Sequence, residues 1–146
     1  MEDLQLTEHF MLHEFTRSAK AIDLGIDNCP PRAAIECLQI LCQQVLEPLR
    51  RRFGVIRITS GYRCDVLNDA VGGARNSQHR LGQAADIHIS SIEEGRKMFR
   101  FIQENLPFDQ LLLEHSASRG TRWLHVSVRP DSHRNRRMAV KDYCAR

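Results

Sequence analysis

Apolar residues in the first third of the chain repeat at helical spacing. From Arg32 onward they recur at steps of three and four, at Ile35, Leu38, Leu41, Val45, Leu49 and Phe53. That spacing predicts one long amphipathic helix, which begins after Pro31 and ends at Gly54. Pro48 lies inside the pattern and predicts a kink or a split, because proline offers no N–H for a helical hydrogen bond.

Shorter patterns predict a second helix and several strands. The segment around 10–15 is expected to be a loop with one or two helical turns. A capping sequence at Ser91–Glu94 starts a helix that continues to Leu106. Strands are predicted at 55–59, 84–89, 110–114 and 123–128, with a short one near 138–140. Since helices come first and most strands later, we expect an α+β fold with helices packed on a largely antiparallel sheet.

The length and the net charge of the chain limit the number of domains and the kinds of partner that we expect. A chain of 146 residues that is 42% hydrophobic is typical of one globular domain, so we expect a single domain over 1–146 with a basic tail at about 130–146. The net charge of +3 is too small to indicate nucleic-acid binding. The arginine runs at 50–52 and 134–137 are expected to be solvated surface. Apolar runs fall well short of the ~18 residues of a membrane span.

Cysteine usage and the start of the chain bear on its compartment. The five cysteines are odd in number and show no C-x-x-C spacing, so we expect reduced thiols that bind no metal. The acidic start at 1–3 does not resemble a secretory signal. We therefore expect synthesis in a reducing cytoplasm, with delivery by another route if the protein acts outside.

One segment carries a candidate metal site. His79 and Asp86 lie seven residues apart, with Gly82 between them. A turn at Gly82 would bring the imidazole and the carboxylate to one point, where nitrogen and oxygen ligands suit zinc. A surface histidine and a turn-capping aspartate are the alternative interpretation of the same spacing.

A third ligand is available on a later predicted strand. In Trp123–Ser127, alternation places Trp123, His125 and Ser127 on one face of the strand. A polar face of this kind is unusual for pure packing and typical of the floor of a cleft. With His125 included, the set has three protein ligands, which is typical of a catalytic zinc that keeps its fourth position for water.

A hydrolytic zinc site also needs a base and a group that binds substrate. Glu114 follows three leucines at the end of a predicted strand, where it either reaches solvent or lies in a dry site. His115 is the rival base, although its side chain should point to the opposite face. Arg63 follows a predicted turn and could hold a carboxylate or carbonyl with its fork of donors, or could be a surface arginine.

Several short motifs form a set with a known counterpart. They are Ser-Gly-Tyr-Arg at 60–63, Leu-Asn at 67–68, Val-Gly-Gly at 71–73, Ser-Gln-His at 77–79, Gly-Gln-Ala-Ala-Asp at 82–86 and Trp-Leu-His-Val at 123–126. The set resembles the zinc D-Ala-D-Ala carboxypeptidase family, whose signature is S-x-H-x-x-G-x-A-x-D and whose superfamily includes lysostaphin-type peptidases and the hedgehog domain. Segments at 14–28 and 45–50 are similar to its short, often phage-borne branch. The resemblance extends from about Phe10 to Val128.

The resemblance implies a zinc peptidase that acts on peptidoglycan stem peptides. It implies one zinc ion per chain with three ligands: His79, Asp86 and His125. Arg63 matches the arginine that steadies the substrate or the oxyanion, and Ser77 is expected beside the substrate. Trp123 is expected either to form a wall of the substrate cleft or to serve in packing. No nucleic-acid partner and no membrane span are expected. A protein of this kind would act on the cell wall after release, as in phage or prophage lysis, and would otherwise stay cytoplasmic.

The position of the base departs from the pattern of many relatives. They place the catalytic glutamate three residues before the last histidine, where this chain has Arg122. Glu114 lies on the preceding strand, like the corresponding glutamate of hedgehog-like members, and remains the expected base. Relatives without the base keep zinc and serve as binding modules. The alternative function is therefore a catalytically inactive, zinc-containing binding or virion-structural module.

Overall fold

In the computed structural model, which describes residues 3–145, the apolar patterns become a five-stranded sheet covered by helices and a separate small hairpin. The strands are β1 (Gln5–Thr7), β2 (Phe10–Met11), β3 (Ile58–Ser60), β4 (Ala84–His88), β5 (Gln110–Ser116), β6 (Arg122–Ser127) and β7 (Met138–Ala145). The helices are α1 (His13–Thr16), α2 (Ala19–Leu24), α3 (Arg32–Leu41), α4 (Glu47–Phe53), α5 (Asp65–Ala70) and α6 (Ile92–Asn105). A π-helical turn spans Cys42–Leu46, and 3₁₀ turns span Gln78–Leu81 and Ser132–Arg134.

The main sheet has the strand order β3-β4-β6-β5-β7. Its first four strands pair antiparallel, whereas β7 joins β5 in parallel at the edge. The expected α+β class with a largely antiparallel sheet is confirmed. The predicted capping sequence also forms, since the Ser91 hydroxyl accepts a hydrogen bond from the Glu94 amide at the start of α6.

The two faces of the sheet differ in chemistry. One face packs into the core with helix α6 through buried apolar residues: Ala85, Ile87, Leu111, Leu113, Leu124 and Val126. Directly paired residues of antiparallel strands point to the same side. Asp86 pairs with His125, which also pairs with Leu112, and Glu114 pairs with Trp123. The opposite face of β4, β5 and β6 therefore holds the polar candidates together.

The predicted long helix is divided into two helices. Helix α3 passes into the π-helical turn at Cys42–Leu46, and α4 starts at Glu47 with Pro48 in its first turn. The break precedes the proline because its missing N–H and its ring are incompatible with a regular turn upstream, and a wider π turn accommodates both. The predicted apolar face survives the break: Leu38, Leu41, Val45 and Leu49 are fully buried.

The segment expected to be a loop with one or two helical turns contains β2 and the short helix α1. A buried carboxylate holds the β1–β2 hairpin against the helices. Glu47 Oε1 accepts hydrogen bonds from the Thr7 hydroxyl at 2.7 Å and the His9 amide at 2.6 Å. Its Oε2 lies 2.9 Å from Nδ1 of His9. Burial alone would raise the pKa of Glu47, but the hydrogen bonds from His9 and Thr7 outweigh burial and hold the pKa below its ordinary value.

The basic segment after β6 is folded rather than wholly solvated. Asp109 is fully buried and accepts hydrogen bonds from Arg136, whose Nη2 lies 2.7 Å from Oδ2. Nε of Arg129 lies 3.2 Å from Oδ1 of the same carboxylate. These contacts fix the chain just before β7, so part of the predicted surface run at 134–137 has a structural role that its composition did not reveal.

We expect Glu47→Gln to lower the free energy of unfolding at neutral pH by about 1–3 kcal/mol, because it weakens hydrogen bonds to a buried charge. Urea denaturation measures the change. Since the folded state lowers the pKa of Glu47, its contribution is present above the ordinary carboxyl pKa and is lost as pH falls through the folded value. The wild type and the variant should therefore converge in acid. The exposed Glu36→Gln is the control, expected to change stability by at most about 0.5 kcal/mol. Equal stabilities of Glu47→Gln and wild type at neutral pH would contradict the proposed role.

Candidate metal centre

Three side chains from different parts of the chain converge on the polar face of the sheet. Asp86 lies on β4 and His125 on the neighbouring β6, while His79 lies in the 3₁₀ turn before β4. Their candidate ligand atoms all lie within 4.8 Å of one another. Asp86 lies between the two histidines: its Oδ1 is 2.9 Å from Nδ1 of His125, and its Oδ2 is 3.4 Å from Nε2 of His79.

The turn that carries His79 is fixed at both ends. At its start the Ser77 hydroxyl accepts a hydrogen bond from the His79 amide at 3.2 Å. At its end Gly82 has a φ of +74°, which favours glycine. A Cβ on Gly82 would also lie 2.4 Å from the carbonyl oxygen of Ala34 in α3. Glycine is therefore required here both by the turn expected from the sequence and by the close approach of a helix.

A backbone carbonyl orients the ring of His79. Nδ1 of His79 lies 2.7 Å from the carbonyl oxygen of Gly61. Since a carbonyl only accepts, Nδ1 must carry the proton, which leaves the lone pair of Nε2 on the side of Asp86. This contact was not predicted from the sequence, where the only trace of it is the glycine of the Ser-Gly-Tyr-Arg motif. Glycine is needed at position 61 because a Cβ there would lie 2.7 Å from the backbone of Phe15.

The donor set fits a zinc ion. Two imidazole nitrogens and one carboxylate oxygen are ligands that zinc accepts, and the 2.9 and 3.4 Å separations resemble the ~3.4 Å expected between ligands at ~2.1 Å in a tetrahedral shell. Burial lowers the pKa of His79 and favours its neutral, ligating form. Burial would raise the pKa of Asp86, but contacts with both histidines outweigh burial and lower it, so the carboxylate stays ionised.

Glu114 lies beside this cluster, on the same face of the sheet. Its Oε2 accepts a hydrogen bond from Nε1 of Trp123 at 2.8 Å and lies 3.9 Å from Nδ1 of His125. Its side chain is only 12% exposed. Burial, and next the charge of Asp86, raise the pKa of Glu114 above its ordinary value. Of the two alternatives for Glu114, a strand end that reaches solvent or a carboxylate in a dry site, the partial burial is nearer to the second.

Arg63 and Ser77 form the other side of the site. Nη2 of Arg63 donates to the Ser77 hydroxyl at 3.4 Å, and the Arg63 amide donates to the carbonyl of His79 at 3.1 Å. Nε of Arg63 is buried and has no hydrogen-bond partner among residues 3–145. Burial lowers the pKa of Arg63, while the charges of Asp86 and Glu114 oppose that shift. The guanidinium group therefore lies close enough to the carboxylates of Asp86 and Glu114 to interact with both electrostatically.

The rival base and the usual base position lie elsewhere. His115 and Arg122 pair with each other across β5 and β6, and alternation places both on the face opposite Glu114. Nδ1 of His115 lies 3.1 Å from Oδ1 of Asp142 in β7, and Nη1 of Arg122 lies 3.9 Å from the same oxygen. Neither side chain is brought to the cluster.

A second group of potential ligands occurs at the β1–β2 hairpin, where it has a structural role. Its members are Glu8, His9 and Glu47. Both carboxylate oxygens of Glu47 are already engaged by Thr7 and His9. Neither of the two groups found in residues 3–145 contains a cysteine.

The sequence of the chain was compared with known proteins and protein families. No curated protein matches the chain. Within residues 3–145, no helix combines the length and the apolar character that crossing a membrane requires. The family model Peptidase M15, which describes zinc-dependent metallopeptidases, matches residues 8–127 and so covers every candidate residue of the site. The chain therefore belongs to the Peptidase M15 family.

Proposed function

We propose that the protein is a zinc-dependent peptidase that hydrolyses the stem peptides of bacterial peptidoglycan. The bond cut is either the terminal D-Ala-D-Ala bond or a bond within the stem. One observation carries the proposal: a largely buried carboxylate, Glu114, lies on the same sheet face as a His–Asp–His cluster, 3.9 Å from one of its histidines. That is the combination that metal-assisted hydrolysis requires.

His79, Asp86 and His125 would hold the zinc ion. When bound, zinc supplies a Lewis acid that polarises a carbonyl and lowers the pKa of water. Three protein ligands are the number typical of catalytic zinc sites, whereas structural sites have four. The contacts around these three side chains also suit metal binding. The Gly61 carbonyl fixes the tautomer of His79, and Asp86 is ionised.

Glu114 would act as general base and then as general acid. Trp123 holds Oε2 of Glu114, so Oε1 is the atom that would accept a proton from the attacking water. The same carboxyl group would then pass that proton to the amine that leaves. The hydrogen bond from Trp123 keeps the carboxylate in one orientation during both transfers.

Arg63 would bind the substrate carboxylate or the oxyanion that develops on the scissile carbonyl. Its buried Nε has no partner among the described residues, so a donor remains for substrate. Ser77 holds the guanidinium group from the other side at 3.4 Å. Trp123 would border the substrate cleft in addition to orienting Glu114.

The second candidate function is a zinc-containing module that binds wall peptides, or serves in a virion, without cutting them. It is favoured by Arg122, which occupies the position where many relatives have the catalytic glutamate. Only a working base separates the two functions, so the test of Glu114 decides between them.

The metal ligands are tested by His79→Ala and His125→Ala. Wild type should hold one zinc ion per chain after dialysis, and each variant should lose it, as measured by elemental analysis. A ligand that binds only the folded state adds about 2.7 kcal/mol at a hundredfold excess over its Kd, so the melting temperature should also fall with the metal. The exposed His133→Ala is the control and should keep its zinc. Full zinc occupancy in either site variant would refute this ligand set.

The base is tested by Glu114→Gln, which keeps size and polarity but accepts no proton. Zinc content should stay near one per chain, while hydrolysis of wall peptides should fall by about 10²–10⁴-fold. Glu104→Gln, at an exposed position of α6, is the matched control and should keep the wild-type rate. An unchanged rate in Glu114→Gln would remove this residue from the mechanism. A zinc-loaded wild type that cuts no wall peptide would favour the non-catalytic module.

The orienting role of Trp123 is tested by Trp123→Phe, which keeps an aromatic ring and removes the N–H. Loss of one hydrogen bond to a charged group predicts a fall in kcat of about tenfold, with KM and zinc content unchanged. Because Trp123 is the single tryptophan, its fluorescence should shift in Glu114→Ala, where the acceptor is absent. A change in KM alone would show that the ring contacts substrate and does not orient the base.

A further inference from the structure

A second cleft lies beside the metal centre, at the ends of β4 and β6. It encloses about 500 Å³, a volume usual for a ligand site. One wall is the turn that also carries His79 and contributes Gln78 and Leu81. The other wall is the segment between β6 and β7, which contributes Arg129, Arg134 and Arg136. The cleft and the metal centre therefore share one structural element.

The charge of this cleft favours an anion. Three guanidinium groups surround it, against the carboxylates of Asp109 and Asp131. Asp109 engages Nε of Arg129 together with Nε and Nη2 of Arg136. The guanidinium group of Arg134 is exposed and makes no hydrogen bond or ion pair within residues 3–145. It is the donor best placed to receive an anionic group from solution.

Arg129 and Arg136 of this wall are firmly held, although they lie outside the family match. That match ends at residue 127, so the whole segment from Arg129 to Arg136 follows it. The backbone amide of Arg136 donates to Oδ1 of Asp109 at 2.7 Å, in addition to the side-chain bonds. The Arg129 amide donates to the side-chain oxygen of Asn135 at 2.9 Å. Arg129 and Arg136 therefore lose little conformational entropy on binding, and the exposed side chain of Arg134 is the part of the wall that binding would have to order.

The spacing between the two sites suits one extended peptide. Arg129 follows His125 by four residues, which corresponds to ~13 Å along an extended strand. A bound peptide of about four residues spans a similar length. A peptide whose scissile bond lies at the metal centre would thus reach the cleft with a side group a few residues away.

We propose that this cleft binds the carboxylate of an acidic residue two to four positions from the bond that is cut, and so selects stem peptides with a free acidic group. The proposal rests on the proposed function for the position of the scissile bond. Arg134 provides the main charged contact, and Arg129 and Arg136 complete the positive wall. The leucine and proline side chains of the cleft, Leu81 and Pro130, would contact the apolar part of the peptide.

Two stem pentapeptides test the proposal: one has a free α-carboxylate on its D-glutamate, and in the other that carboxylate is amidated. Binding is measured by calorimetry on zinc-loaded Glu114→Gln, and mass spectrometry verifies that the peptide stays intact. We expect amidation to weaken binding about tenfold, the low end of the range for a hydrogen bond to a charged group. Adding Arg134→Gln should remove the difference between the two peptides. Adding Arg119→Gln, at an exposed arginine in the β5–β6 loop, should preserve it.

The outcomes separate this proposal from the proposed function. Equal binding of the two peptides, or no binding of either, overturns the cleft proposal even if the wild type hydrolyses both. A preference for the free acid that Arg134→Gln removes supports the cleft even if the wild type cuts neither peptide. Displacement of the acidic peptide by a single-stranded oligonucleotide at physiological salt would show an unspecific anion surface and would also overturn the proposal. Arg134→Gln should fold normally, because the contacts of Asp109 with Arg129 and Arg136 remain.

Discussion

The antiparallel pairing of β4 with β6 determines the geometry of the site. Its register places Asp86 directly opposite His125, with 2.9 Å between Oδ1 and Nδ1. A slip of one residue would turn one of these side chains to the other face. The register is held by burial of Ile87, Leu124 and Val126, each worth about 1.5–3 kcal/mol. Hydrophobic burial on one face therefore positions the candidate ligands on the other.

The polar face is stable because each buried group has a partner. An unpaired buried polar group costs about 1–3 kcal/mol, and more if it is charged. His79 donates to Gly61, Asp86 lies between two histidines, and Glu114 accepts from Trp123. One exception is Nε of Arg63, which lacks a partner among the described residues, and Oε1 of Gln78 in the turn that carries His79 is another. An unsatisfied donor beside two carboxylates is the kind of local cost that proteins retain where a substrate binds.

The end of the sheet shows how one buried charge organises a long segment. Asp109 has no exposed surface and forms ion pairs with Arg129 and Arg136, which follow β6 in the chain. This arrangement brings the chain to the edge of β5, where β7 pairs in parallel, and builds the arginine wall of the second cleft. By composition the same segment looked like a solvated basic run. Composition could not identify Asp109 as the partner of Arg136, which lies 27 residues away.

Local patterns in the sequence determined the α+β class, the apolar face of α3 and α4, the capped start of α6 and the turn at Gly82, because each depends on neighbours within a few residues. Spacing and family resemblance also selected His79, Asp86, His125 and Glu114 as candidates. Tertiary structure alone decided the rest. The π turn before Pro48, the hairpin held by Glu47, the bond from Trp123 to Glu114 and the pairing of His115 with Asp142 all depend on packing or on contacts between distant residues. Such contacts have no local periodicity, since burial and strand register bring the partners together only when the chain folds.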